Sequence, residues 1–213
     1  MYLGYYKYNA KEYVFQGFIR FRLRMKGHKI GRNCHIHSSV LNGICDLRDD
    51  VVLGPQVELT GNNIIGSSAK ISNIFIGENS HIDCGVICTG YGNGNIKIGK
   101  DCYIGIHNIL DWSDNITVGD YVQIAGPTTA LWTHSGAYMC LNSIELKNKS
   151  KEFRPTAPII IESNVYIGGN CTIYPGVSIG HHSIVAPNSA VTKNVEPHSM
   201  VGGVPAKLIK KIT

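Results

Sequence analysis

A six-residue period runs through this 213-residue chain and sets narrow limits on what it can fold into. Every sixth position from Ile161 gives Ile161, Ile167, Ile173, Ile179, Val185 and Val191. The residues that follow include Gly168, Tyr174, Gly180 and Ala186, and four positions beyond each aliphatic stand Val165, Cys171, Val177, Ser183, Ser189 and Val195. The same spacing appears upstream in Leu53, Leu59, Ile65 and Ile71, and in the pairs Ile30/Ile36, Ile76/Ile82, Ile98/Ile104 and Val118/Ile124. Its phase shifts at 72–76, at Gly90 to Gly94 and at 110–117, where short loops can protrude without breaking a stack. One long interruption, Pro127 to Pro158, spans 32 residues before the period resumes. A fixed repeat of this kind marks a repeat architecture. Six residues make one short strand plus a turn, three such units close a triangular coil, and one aliphatic per unit stacks inward on its counterparts in adjacent coils. The small fifth residue also points inward, near a corner where volume is limited, and Gly supplies turn angles.

Composition agrees. The chain holds 28 Ile and 15 Val against 11 Leu, with 24 Gly. Branching at Cβ restricts rotamers in helices and suits strands, so the balance reads as many short strands joined by tight turns. Charged residues are only 16%, which excludes a polyelectrolyte tail protein. No apolar run is long enough for a transmembrane helix. The N-terminus does not read as a secretory signal, because it is Tyr-rich and its basic residues follow the apolar ones. Seven Cys without a Cys-x-x-Cys pair argue for a reducing compartment and against a disulfide framework or zinc ribbon. A cytoplasmic location is therefore expected.

Charge is uneven. Residues 1–32 carry eight basic groups and one acidic, a net +7, while 33–213 carry 12 basic and 14 acidic, a net −2. The same lead segment holds five of the 11 Tyr and three of the five Phe. Ile19 to Lys26 alternates as a strand would, whereas Val14, Phe15, Phe18 and Ile19 follow helical spacing. A short helix with an apolar face and a basic rim is favoured. It would pack on the domain, on a partner subunit, or on an anionic membrane at the inner face. No nucleic-acid partner is expected. The organisation reads as a lead segment 1–27, a coil domain 28–206 with a protruding loop at 127–158, and a tail 207–213.

The stretch from Ala157-Pro158-Ile159 to Lys211, with NVYIGGNCTIYPGVSIG, AVTKNV and VGGVPAKLIKKI, resembles the hexapeptide-repeat acyltransferases. The order of these motifs is similar to that of the galactoside, maltose and polysaccharide O-acetyltransferases. The resemblance covers about residues 28–212, more loosely toward the N-terminus. It implies an all-β, left-handed parallel β-helix, a homotrimer with acetyl-CoA between two subunits, and acetyl transfer to a saccharide hydroxyl on a glycan or polysaccharide building block. Two alternatives stand beside that reading. One is N-acetylation of an amino-sugar nucleotide, although many such enzymes carry an added N-terminal domain for which residues 1–27 are too short. The other is a non-catalytic β-helix scaffold.

Acyl transfer from a thioester to a hydroxyl needs a base, donors for the oxyanion and orientation of both substrates. Histidine is the usual base, since its pKa lies near neutrality. Among nine His, His134 in Leu131-Trp132-Thr133-His134-Ser135-Gly136 opens the long interruption, where the family carries its catalytic His. A loop-capping role is the alternative. His107 follows, at a variable hexad position that would face outward and line the acceptor site. Asn108, Asp111 and Trp112, with Asp114, form a polar and aromatic bulge where the resemblance implies acceptor contacts. Trp112 and Trp132 can stack on sugar faces. Asp111 would orient the base, accept from an acceptor hydroxyl, or merely solvate the loop.

For the coenzyme, the resemblance implies backbone amides near Gly168, Gly169 and Ala186 along the pantetheine arm. It places Thr192 and Lys193 close by, and Lys207 and Lys210 at the phosphates. Solvated lysines are the simpler reading of each. No metal is expected. The His-x4-His spacing of the zinc carbonic anhydrases that share this fold does not occur, and His181 and His182 take variable, solvent-facing positions. Cys34, Cys102 and Cys171 fall at the small packing position, and Cys84 with Cys88 lacks a third ligand.

Overall fold

The computed structural model describes residues 10–148, 150 and 152–213. Helix α1 (Ala10–Met25) leads into a stack of coils whose strands form three parallel faces of ten, eight and seven strands. Only the last strand of the first face, Lys207–Lys211, runs antiparallel, against Ser199–Gly202. The fold is a left-handed parallel β-helix.

The hexad aliphatics form the pairing register. Ile82, Ile104, Ile124 and Ile167 align across the first face. Cys88, Leu110, Leu131 and Ile173 align across the second, and Ile98, Val118, Ile161 and Ile179 across the third. All are buried in one continuous core. Cys34, Cys102 and Cys171 fill small inward positions and donate to main-chain carbonyls. Burial pushes their thiol pKa values up, and that of Cys88 up to about 12, so these sulfurs stay protonated packing groups.

Three sequence expectations change. The interruption is shorter than Pro127 to Pro158, because Ala130–Leu131 is a strand paired with Ile109–Asp111 and with Thr172–Ile173. One added residue in the preceding corner hides it from a strict six-residue count. The tail 207–213 contains the antiparallel end strand. Helix α1 forms, but it packs with its other side. Gln16, Ile19, Arg20 and Leu23 face the first coil, while Val14, Phe15, Phe18, Phe21 and Met25 are exposed.

The cause is chemical. The end of a β-helix presents unpaired strand N–H and C=O groups that must find partners. Gln16 meets both groups of Ile36, at 2.9 Å to its N–H and 3.2 Å to its carbonyl. Arg20 donates to the Cys34 carbonyl at 3.0 Å and Arg24 to that of Ile30 at 2.6 Å. Gly27, at φ +90°, ends the helix, and the His28 N–H folds back onto the Leu23 carbonyl. Residues 1–9, with Lys7 and Tyr2, Tyr5, Tyr6 and Tyr8 of the basic aromatic lead, lie outside the described residues.

Candidate active site

Along the edge between the second and third faces, three successive corners widen. They follow the strands Ile87–Thr89, Ile109–Asp111 and Ala130–Leu131. Register sets Thr89 beside Asp111 and Leu110 beside Leu131, so Asp111 lies one coil from Trp132, Thr133 and His134. Coils of a parallel sheet are about 4.8 Å apart, which brings residues 23 apart in sequence within side-chain reach.

Asp111 has no exposed surface. Its Oδ2 lies 2.6 Å from His134 Nδ1 and accepts from the Thr133 N–H at 2.9 Å and the His134 N–H at 3.2 Å. Its Oδ1 accepts from the Ser113 hydroxyl at 2.6 Å and the Ser113 N–H at 3.1 Å. Ser113 Oγ in turn accepts from the Tyr91 N–H at 2.9 Å and lies 3.1 Å from His134 Nδ1. Burial opposes ionisation of Asp111, but hydrogen bonds from His134 and Ser113, the His134 charge and the Thr133 N–H outweigh it. They hold the carboxyl below the usual carboxylate value. Gly90, at φ +147°, permits this packing, since a Cβ there would sit 2.7 Å from Asp111 Oδ1 and from the Ser113 nitrogen.

A carboxylate accepting at Nδ1 fixes the proton there and leaves the Nε2 lone pair free. The His134 side chain is 26% exposed, so a solvent-borne group can reach the ring. Trp132 stands edge-on to it, with centroids 6.3 Å apart. The loop that follows is clamped at its base. His134 bridges Thr156, Ala157 N–H donates to the Thr133 carbonyl, and Thr156 Oγ1 donates to Asp114 at 2.8 Å. Further out, α2 (Ala137–Leu141) buries Met139, and Tyr138 stacks on Phe153. His134 therefore sits on a two-stranded stem.

The expected acceptor residues separate. Asp111 orients His134 and offers no surface to an acceptor. Asn108 is equally buried: its amide donates to the carbonyls of Ile124 and Ala125 and accepts from the Thr129 N–H, so it is a corner-packing residue. Trp112 is half-buried against the core, and Trp132 lies beside the base. His107 is exposed at φ +56° on the edge between the first and second faces, away from the His134 edge. Ser113, Thr133 and Gly90 belong to the site and were not anticipated.

The expected coenzyme residues fall on separate parts of the coil stack. Thr192 and Lys193 are exposed on the His134 edge, further along the stack. Gly168, Gly169 and Ala186 lie on the edge between the first and second faces. A Cβ at Gly169 would meet the Gly126 carbonyl oxygen, and one at Gly168 would sit 2.6 Å from the Pro187 nitrogen, so coil stacking alone requires both glycines. Lys207 and Lys210 are exposed on the end strand.

A parallel β-helix built on hexads, with a carboxylate-held histidine on a loop between two faces, defines a class. Residues 158–193 match the bacterial transferase hexapeptide family, described as six repeats. The galactoside O-acetyltransferase of Escherichia coli (strain K12) is 33% identical over 137 residues, 64% of this chain and 63% of that protein. A Staphylococcus aureus (strain COL) protein is 36% identical over 124 residues, 58% of each chain. The chain thus spans about three fifths of the length of these curated relatives. Among solved structures, the polySia-specific acetyltransferase NeuO shares the fold at TM-score 0.52 and 23% identity, over 86% of this chain and 85% of that one. A variant of AntD, an N-acyltransferase from Bacillus cereus in complex with dTDP and coenzyme A, shares it at 0.61 and 19%, over 91% and 90%. Among the described residues, no helix is long and apolar enough to cross a membrane.

Proposed function

We propose that the chain is an acetyl-CoA-dependent O-acetyltransferase acting on a saccharide hydroxyl. The observation that carries this reading is the buried Asp111 holding His134 through Nδ1, with Nε2 free of hydrogen bonds among the described residues. A scaffold has no use for a sequestered carboxylate aimed at a partly exposed imidazole, whereas a general base requires one. Acetyl-CoA would supply the acetyl group. His134 Nε2 takes the acceptor hydroxyl proton as the oxygen bonds to the acetyl carbon. The same proton then serves the departing thiolate, with no acyl-enzyme. The buried cysteines, held protonated, are unsuited to act as nucleophiles.

The exposed cations Lys193, Lys207 and Lys210 suit the phosphates of a coenzyme. Thr192 shares the His134 edge, and Gly168, Gly169 and Ala186 would offer main-chain amides on the neighbouring one. A homotrimer brings edges of different copies together. In it, His107 and Trp132 would line an acceptor held between copies, and Trp112 would back the same wall. The outward aromatic face of α1, rimmed by Arg22 and Lys26, would rest on anionic lipid where a lipid-linked glycan is presented.

The test is release of free thiol from acetyl-CoA with hydroxyl-bearing saccharides and, separately, amino-sugar nucleotides. Turnover with the hydroxyl acceptors, abolished in His134→Ala, is expected. Turnover with amino-sugar nucleotides alone would transfer the reading to N-acetylation. A folded His134→Ala that keeps full activity would overturn the role of His134.

A further inference from the structure

A second histidine constellation occupies the edge between the third and first faces, near the C-terminal end of the stack. Corners along this edge repeat a left-handed residue: Asn79, Asp101, Tyr121, Asn164, His182 and His198. His182 and His198 are therefore equivalent positions in successive coils. Their rings stack 5.0 Å apart at 12°, close to the coil spacing. His181 stands edge-on to both, with centroids 5.2 and 5.0 Å away. Its Nδ1 lies 3.0 Å from His182 Nδ1, and one ring nitrogen from each of the three falls within 4.8 Å of the others.

The main chain holds these positions. The His181 N–H donates to Glu162 Oε2 at 2.8 Å. The His198 N–H donates to the His181 carbonyl at 3.0 Å, and the His198 carbonyl accepts from the Ile212 N–H at 2.7 Å. Asn is the ordinary occupant of a left-handed corner, so two stacked His with a third beside them depart from the pattern of the earlier coils.

We propose that His181, His182 and His198 form a site for one divalent transition-metal ion of the Zn2+ class, with the fourth position open to solvent. Neutral imidazole nitrogens suit Zn2+, Ni2+ and Cu2+ and not Mg2+ or Ca2+, which prefer oxygen. Zn–N bonds of about 2.0–2.1 Å place tetrahedral donors roughly 3.4 Å apart. Small side-chain rotations cover the difference from the observed spread. The crowding of the three rings supplies three ligands to one ion. The site lies on a different edge from His134 and is separate from the proposed chemistry. The ion would cross-link the last two corners beside the returning tail.

The experiment titrates ZnCl2 into the untagged full-length chain near neutral pH, with MgCl2 as control, alongside thermal unfolding. The expected result is saturable binding of one Zn2+ per chain and a higher Tm with Zn2+, neither occurring with Mg2+. His134→Ala should bind Zn2+ like the wild type. His182→Asn and His198→Asn keep the residue that left-handed corners ordinarily hold, and each should weaken binding by at least about tenfold. Circular dichroism without metal checks that they fold. Absence of saturable binding, or equal binding by the doubly substituted chain, would overturn the proposal.

Discussion

At the scale of single residues, Asp111 decides most. Its carboxylate makes six hydrogen-bonding contacts at or below 3.2 Å, with groups on two adjacent coils. Asp111→Asn preserves the shape but offers an amide where Nδ1–H needs an acceptor, favouring the wrong imidazole tautomer. By analogy with the serine-protease triad, kcat should fall about 10²- to 10⁴-fold with acceptor KM little changed, as measured by thiol release. A loss confined to KM would make Asp111 a binding group instead. The depressed pKa also has a stability consequence. A carboxylate whose folded pKa lies below its unfolded value stabilises the fold above the unfolded value, near about 3.9, and loses that contribution as pH falls through the folded one. Wild-type stability should therefore drop on acidification below about pH 4, and the drop should be smaller in Asp111→Asn, read from urea midpoints across that range. The place of His134 at the opening of the long loop was legible in the sequence. The resemblance implies an acceptor contact for Asn108, although it stands four beyond Ile104, in the small inward slot that Cys102 fills after Ile98, so its burial could have been read from the period. Orienting the base is one of three readings of Asp111, and the sequence does not choose among them, because the choice depends on which coil lies above which, and irregular corners hide that register.

At the scale of elements, α1 shows a different principle. Its sequence offers an apolar face, but the surface it meets is the polar backbone edge of the first coil. Gln16, Arg20 and Arg24, spaced four apart, reach that edge from one side of the helix and leave the phenylalanines outward. Gln16→Ala strands the buried Ile36 N–H and carbonyl and should cost about 1–3 kcal/mol. Phe18→Ser, at a side 63% exposed, should stay within about 0.5 kcal/mol. Urea midpoints of the two variants test the orientation directly. If Phe18→Ser is the more costly, the helix packs the other way round. The loop after Leu131 follows a similar logic. A long excursion can hold a side chain in place only if its legs pair, and the bridge between His134 and Thr156 does so.

At the scale of the whole molecule, the period was enough to foresee three faces and one core, because a buried row must recur wherever a coil closes. It failed where a corner took an extra residue, as at Pro127, since a strict count loses phase there while the stack does not. Stacking also makes the energetics local. Each coil contacts only its neighbours, so damage is felt according to how many coils border it. Ile104 lies in the middle, between Ile82 and Ile124 in register, with no exposed surface. Ile104→Ala removes three buried carbons from a column that cannot collapse without shifting the strands on both sides. It should cost about 2–5 kcal/mol, and Ile104→Val about 0.5–1.5 kcal/mol. If the column is continuous and unfolds as one unit, both variants lower the urea midpoint without changing the m-value. A reduced m-value for Ile104→Ala would instead mean that the stack breaks at that coil into separately melting halves.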